Sequence, residues 1–179
     1  VSGQVSREMS KGLSDEAVLA LGLPTNPAAF DIYLRAKDQL TKITGPDDAL
    51  VALDVLEQAI TFDPNFALAH TTKARWLSWV SSADDDAEAS GRYLQEALAA
   101  AERALEVEPG LAETDSTLGG VRFFSALDVA GAAEPFEQSI AVAPNDAVIL
   151  ARYAPYIAQV GQEEKARRTI QNAVLLDPL

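Results

Sequence analysis

Four phrases in this chain end alike: Ala59-Ile60-Thr61-Phe62-Asp63-Pro64, Ala104-Leu105-Glu106-Val107-Glu108-Pro109, Ser139-Ile140-Ala141-Val142-Ala143-Pro144 and Ala173-Val174-Leu175-Leu176-Asp177-Pro178. Their prolines stand 45, 35 and 34 residues apart. Proline has no amide hydrogen for the helical ladder and its ring clashes with the turn before it, so each phrase closes one helix. The residues after each of the first three prolines open the next helix. Asn65 and Asn145 are read as N-caps, short side chains that accept an orphan amide hydrogen. Asn26-Pro27 plays that part at the front, with proline at the first helical position, where its missing donor costs nothing. Within each repeat a loop separates two apolar-periodic stretches, marked by Gly45-Pro46-Asp47-Asp48 in the first repeat and Gly161 in the last. The spacing predicts eight helices in four hairpins: 28–43 with 48–62, 66–82 with 87–107, 111–127 with 131–142, and 146–160 with 163–176.

Composition narrows the chemistry. Of 179 residues, 48% are hydrophobic but only 7% aromatic, so alanine and leucine, both strong helix formers, carry the apolar content. Cysteine is absent and histidine occurs once; disulfides and thiolate metal sites are excluded, and a histidine-ligated metal is not expected. The formal charge of −13 comes with 14 lysines and arginines, of which only Arg167 and Arg168 are adjacent. Duplex binding needs a basic stripe that displaces counterions, so this fragment is not expected to hold nucleic acid directly. No apolar run approaches the roughly 20 residues of a bilayer-spanning helix. The chain opens at Val1 without an initiator methionine or signal peptide, which reads as a piece of a longer protein or a mature product. No phosphate-cradling glycine loop, nucleophile–base pair or metal-ligand set is present, so neither an enzyme nor a cofactor site is expected.

Some features depart from the regular pattern. The second repeat is longer, and Ser81-Ser82-Ala83-Asp84-Asp85-Asp86 is its insertion. The three aspartates lack the spacing and glycine of a calcium loop; they read as a polar loop whose last member caps the next helix. Pro155 falls inside a helix and should kink it near Ala151, whereas Pro135 suggests a late helix start. His70, near a helix start, reads as a structural histidine with no serine, cysteine or carboxylate to complete a relay. Trp76 and Trp79 are expected to diverge, one toward the core and the other toward an open groove.

This pattern resembles the tetratricopeptide repeat, a helix–turn–helix unit of about 34 residues. The resemblance covers residues 28–178 in four repeats, 28–64, 65–109, 110–144 and 145–178, behind an N-terminal helical extension, 1–26. Leu118-Gly119 occupy the Leu-Gly slot of the family signature, with Tyr153-Ala154 and Lys73-Ala74 as weaker versions. Ala166, Ile170, Ala173 and Pro178 fill the second-helix slots of the last repeat, Ala132 and Phe136 those of the third, and Leu56, Ala59 and Pro64 those of the first. A narrower likeness joins 29–36 and 56–69 to the repeat segment at the C-terminal end of bacterial signalling proteins that carry a cyclase, winged-helix or kinase domain. The resemblance implies an all-α solenoid, a right-handed superhelix of four hairpins in the bacterial cytoplasm or periplasm. It implies a protein–protein interaction scaffold, with a structural or oligomerisation spacer as the alternative.

In this family the first helix of each pair lines the concave face. First helices carry 7 basic and 6 acidic residues, second helices 5 and 16, so nearly all the negative charge falls on the other side. By analogy the groove would be lined by Tyr33, Lys37, Thr71, Arg75, Trp79, Ser116, Gly120, Phe123, Phe124 and Arg152. Aromatic and arginine side chains are common energetic anchors of interfaces, so the expected ligand is a peptide of acidic or carboxylate character, held by Arg75 and Trp79. The lysine–asparagine arrangement of chaperone-tail-binding members is missing, with Tyr33, Lys37 and Thr72 in those places. At the far end Ala166, Ile170, Ala173 and Val174 are expected to form an apolar stripe that packs against a second copy, giving a homodimer, or against an upstream domain. Ser14-Asp15-Glu16 is expected to begin a short helix ending at Gly22-Leu23-Pro24, which with Val5 and Met9 caps the front.

Overall fold

The computed structural model describes residues 21–178. The expected N-terminal cap of Val5, Met9 and the helix from Ser14 lies outside them. Among the described residues there is no strand, and eight helices pack as antiparallel hairpins. They are α1 (Pro27–Leu40) with α2 (Pro46–Phe62), α3 (Ala67–Ala83) with α4 (Ala87–Val107), α5 (Ala112–Gly120) with α6 (Val129–Val142), and α7 (Ala147–Gln159) with α8 (Glu163–Leu176). The chain divides into two compact units at Pro109–Gly110, which is one of the expected repeat boundaries.

In the first unit, Asn26 caps α1 as anticipated, its Oδ1 accepting from the Ala28 amide at 3.0 Å with Pro27 at the first helical position. Asn65 does not cap α3. The cap position belongs to Phe66, whose side chain is fully buried and bonds no amide, while Asn65 Oδ1 accepts from Arg103 Nη2 at 3.2 Å. The turn is organised instead by Asp63, a buried carboxylate. One oxygen accepts from the Asn65 amide at 3.1 Å; the other accepts from the Thr25 amide, the Thr25 hydroxyl and the Asn26 amide at 2.8, 3.0 and 3.2 Å. Further along, Asp86 caps α4 as anticipated, accepting from the Glu88 and Ala89 amides. The core of this unit joins alanines at the helix seams to Leu56, Phe66, Leu77 and Val80. Tyr33 lies within 4.7 Å of the Phe66 ring, centre to centre. Small seam residues let the helix axes approach and the larger ones fill what remains.

In the second unit, α5 ends in a π-helical turn, Val121–Ser125, in place of the single helix expected over 111–127. The Ala126 amide reaches back five residues to the Val121 carbonyl at 3.0 Å. This wider turn absorbs about one extra residue. It leaves Phe123 edge-on to Tyr156 at 5.7 Å, while Phe124 stays 50% exposed. The connection closes through Leu127 at φ 55°, a left-handed conformation that a branched side chain rarely adopts. Helix α6 then begins at Val129, capped by Asp128, whose Oδ1 accepts from the Gly131 amide at 2.8 Å. Pro135 is therefore no helix start: it is buried inside α6. Its missing amide would have bonded the Gly131 carbonyl four residues back, and Arg122 Nη1 donates to that carbonyl instead, at 2.9 Å.

Asp146, not Asn145, caps α7, its Oδ1 accepting from the Ile149 amide at 3.0 Å. Pro155 does fall inside α7; the Ala151 carbonyl that it cannot serve belongs to an exposed residue, which water can satisfy. Gly161, at φ 81°, makes the tight turn into α8. The core of this unit is Ala132, Phe136, Tyr153, Tyr156, Ile157 and Ala166. Gly119 lies under Phe136 so closely that a Cβ there would sit 2.8 Å from the ring.

Candidate functional site

Each unit holds half of the residues expected to line a groove, and burial sorts them. In the first unit Tyr33 and Thr71 are core residues rather than surface ones. The Tyr33 hydroxyl is hydrogen-bonded to Thr72 Oγ1 at 3.3 Å, and the Thr71 hydroxyl donates to the Ala67 carbonyl at 3.0 Å. Helix α3 packs on both α2 and α4, so only a strip of it meets solvent. In the second unit Ser116 is likewise fully buried, and its hydroxyl has no hydrogen-bond partner among the described residues. These three do not present side chains to a partner. Helix α5 is enclosed all round from Thr114 to Gly119, which periodicity alone does not disclose.

The remaining groove candidates are at least partly accessible. Lys37 is exposed, its Nζ 5.6 Å from the centre of the Tyr33 ring. Arg75 is half-buried and Trp79 is 40% exposed. In the second unit Gly120 and Phe123 are half-buried, Phe124 is exposed, and Arg152 donates to Thr117 Oγ1 at 3.3 Å. Trp76 and Trp79 do not diverge. Three residues apart on a helix they are neighbours, and their rings meet edge to face at 5.7 Å, with Trp76 half-buried and Trp79 toward solvent. Trp76 thus belongs to the surface that sequence reasoning assigned to Trp79 alone; the spacing of three was the available signal.

The electrostatics favour the same strip. Helix α3 carries two cations, Lys73 and Arg75, and no carboxylate, while neighbouring α2 carries Asp47, Asp48, Asp54 and Glu57 and no cation. Lys73 is committed across that pair, its Nζ 2.7 Å from Glu57 Oε2. His70 is buried, and its Nε2 donates to the Pro64 carbonyl at 3.1 Å. Burial holds its pKa below the ordinary 6.5, with Arg103 and Lys73 acting in the same direction against the Pro64 carbonyl and Glu57. This is a packed, neutral imidazole tied to a helix junction.

On α8 the expected apolar stripe divides in two. Ala166 and Ala173 are buried and do not belong to an exposed stripe; Ile170 and Val174 are exposed. A small residue sits at each seam, and the face turned outward is a shallow apolar depression lined by Ile170, Gln171, Val174 and Leu175. Among the described residues, no group of three or more histidine, aspartate or glutamate side chains could hold a metal ion, and no helix is long and apolar enough to cross a membrane. The chain matches no protein-family model and no curated protein sequence.

Proposed function

We propose that this chain is a tetratricopeptide-type helical repeat that works as a protein-binding module, with its contact surface centred on the exposed strip of α3. The observation that carries this reading is the Trp76–Trp79 pair. In the first unit Tyr33 and Phe66 are packed inward, whereas the Trp79 indole is 40% exposed with another indole braced against it. A large, rigid aromatic side chain beside an arginine is the composition of interface hot spots. The paired hairpins and the proline-closed phrases support the repeat assignment. The likeness of 29–36 and 56–69 to bacterial signalling proteins supports a place as the C-terminal module of such a regulator.

A second reading, an oligomerisation module, is favoured by one observation of its own, the outward apolar face of Ile170, Val174 and Leu175 on α8. Panning a random 12-residue peptide library on the whole chain and on its Trp79→Ala variant tests the first reading. Peptides enriched on the wild-type chain and lost on the variant support it. Equal recovery on both rejects the α3 surface. Light scattering across a concentration series tests the second reading, and a strict monomer rejects it.

A further inference from the structure

We infer that the occupant of the α3 strip is an acidic peptide segment, a carboxylate side chain set beside an apolar one. This rests on the peptide-binding reading above and adds to it the chemistry of the ligand. Arg75 and Trp79 are four residues apart and Trp76 and Trp79 three, so the guanidinium and both indoles share one side of α3. Thr72 lies on that side too, and through its hydroxyl contact with Tyr33 it joins α1, where Lys37 stands over the Tyr33 ring. The strip therefore runs from one cation through a buried tyrosine to a second cation and then to an exposed tryptophan. No carboxylate is carried by α3 itself.

The rest of the molecule selects against the opposite ligand. The chain carries −13 overall and α2 holds four carboxylates without a cation, so a basic segment would be drawn to surfaces other than α3. A carboxylate finds on α3 a planar guanidinium whose five donors can hold an acceptor from the chain and one from a ligand together. The ammonium of Lys37 adds a second, more flexible contact. An apolar residue next to that carboxylate would lie on the Trp79 face, where burial of its area drives association. Lys73 takes no part, because Glu57 already holds it.

The test uses the whole chain and the peptides recovered by panning. A leading peptide and its counterpart with every Glu and Asp replaced by Gln and Asn are titrated into the chain and followed by tryptophan fluorescence. Both tryptophans lie on α3, so the signal comes from the site itself. We expect recovered peptides rich in Asp and Glu beside Leu or Phe, a change in emission on binding of a tryptophan-free winner, and affinity weaker by about tenfold or more for the amide counterpart or for Arg75→Gln. Lys37→Gln should weaken binding by a smaller factor, with the far-ultraviolet circular dichroism of both variants unchanged. Neutral or basic winners that still depend on Trp79 would overturn the acidic ligand while leaving peptide binding intact. So would acidic winners indifferent to both the amide exchange and Arg75→Gln. No enrichment over the Trp79→Ala control would remove the peptide-binding reading itself.

Discussion

The hydroxyls of Ser81 and Ser90 each donate to the other's backbone carbonyl, at 2.9 and 2.7 Å. The pair spans the Asp84–Asp86 loop, one member in the last turn of α3 and the other in the first turn of α4. The Ser81 carbonyl is one of those that a helix end leaves without a ladder partner, and the Ser90 hydroxyl satisfies it. Ser81→Ala and Ser90→Ala should each cost about 1 kcal/mol, the net worth of a part-buried hydrogen bond. The double variant should cost less than the two single losses added, since the groups form one network. Urea unfolding followed by tryptophan fluorescence, which reports on this hairpin, measures all three; strict additivity would show that the two bonds act separately.

Adjacent glycines in α5 should respond in opposite ways. A Cβ at Gly119 would lie 2.8 Å from the buried Phe136 ring, which has no room to retreat, whereas at Gly120 the nearest atom is 3.9 Å away on Phe124. Gly119→Ala should destabilise the second unit by about 1–3 kcal/mol through overpacking. Gly120→Ala should be neutral, or stabilising by up to about 1 kcal/mol from helix propensity alone. Thermal unfolding by circular dichroism separates the two outcomes.

Arg122 and Pro135 are coupled through the Gly131 carbonyl. Arg122→Gln should cost about 1–2 kcal/mol by leaving that carbonyl short of a donor. In a Pro135→Ala background the restored amide can serve it, and the same change should cost less. Equal penalties in both backgrounds, measured by urea unfolding, would show that the guanidinium acts elsewhere.

Two titrating groups should push stability in opposite senses with pH. His70 is held below the ordinary 6.5 mainly by burial, so the folded state prefers the neutral ring. Its contribution to stability is present above about 6.5 and is lost as pH falls toward the lower folded-state midpoint. As the only histidine it gives one imidazole resonance, whose titration midpoint should lie below 6.5 and move up on unfolding. Asp115 is shifted the other way, raised by burial first and by Glu134 second. Its contribution is present below the ordinary carboxylate range and is lost as pH rises through the raised folded-state value. Asp115→Asn should therefore flatten the acid side of the stability profile and raise stability near neutrality.

The helices were legible because Pro64, Pro109, Pro144 and Pro178 each stand just past a helix end, where the missing amide does no harm, although Pro135 and Pro155 lie within α6 and α7. The caps were less so. Asn65 and Asn145 each stand one residue before the position used, because Asp63 sets the geometry of its turn and Asp146 is itself a good cap. The π-helical turn leaves no mark in the sequence, since what accompanies it is the contact of Phe123 with Tyr156 from another hairpin. Periodicity gave the inward faces of α1 and α3 but not that neighbouring helices cover them, so Tyr33 and Thr71 passed for ligand contacts. On α8 the alanines and the branched residues were read as one stripe, whereas at about 100° per residue Ala166 and Ala173 line up at the seam and Ile170 and Val174 drift progressively toward its solvent edge.

Asp63 also determines where this protein can be cut. Three of its four donors come from Thr25 and Asn26, ahead of the first described helix, and the Gly22 carbonyl accepts from the Leu68 amide at 3.0 Å. An expression boundary placed at Pro27, where the helical pattern begins, would strip a buried carboxylate of most of its partners and loosen the start of α3. A shorter version built for crystallisation or for fusion to another protein has to keep the segment from Gly22 onward, although that segment forms no helix.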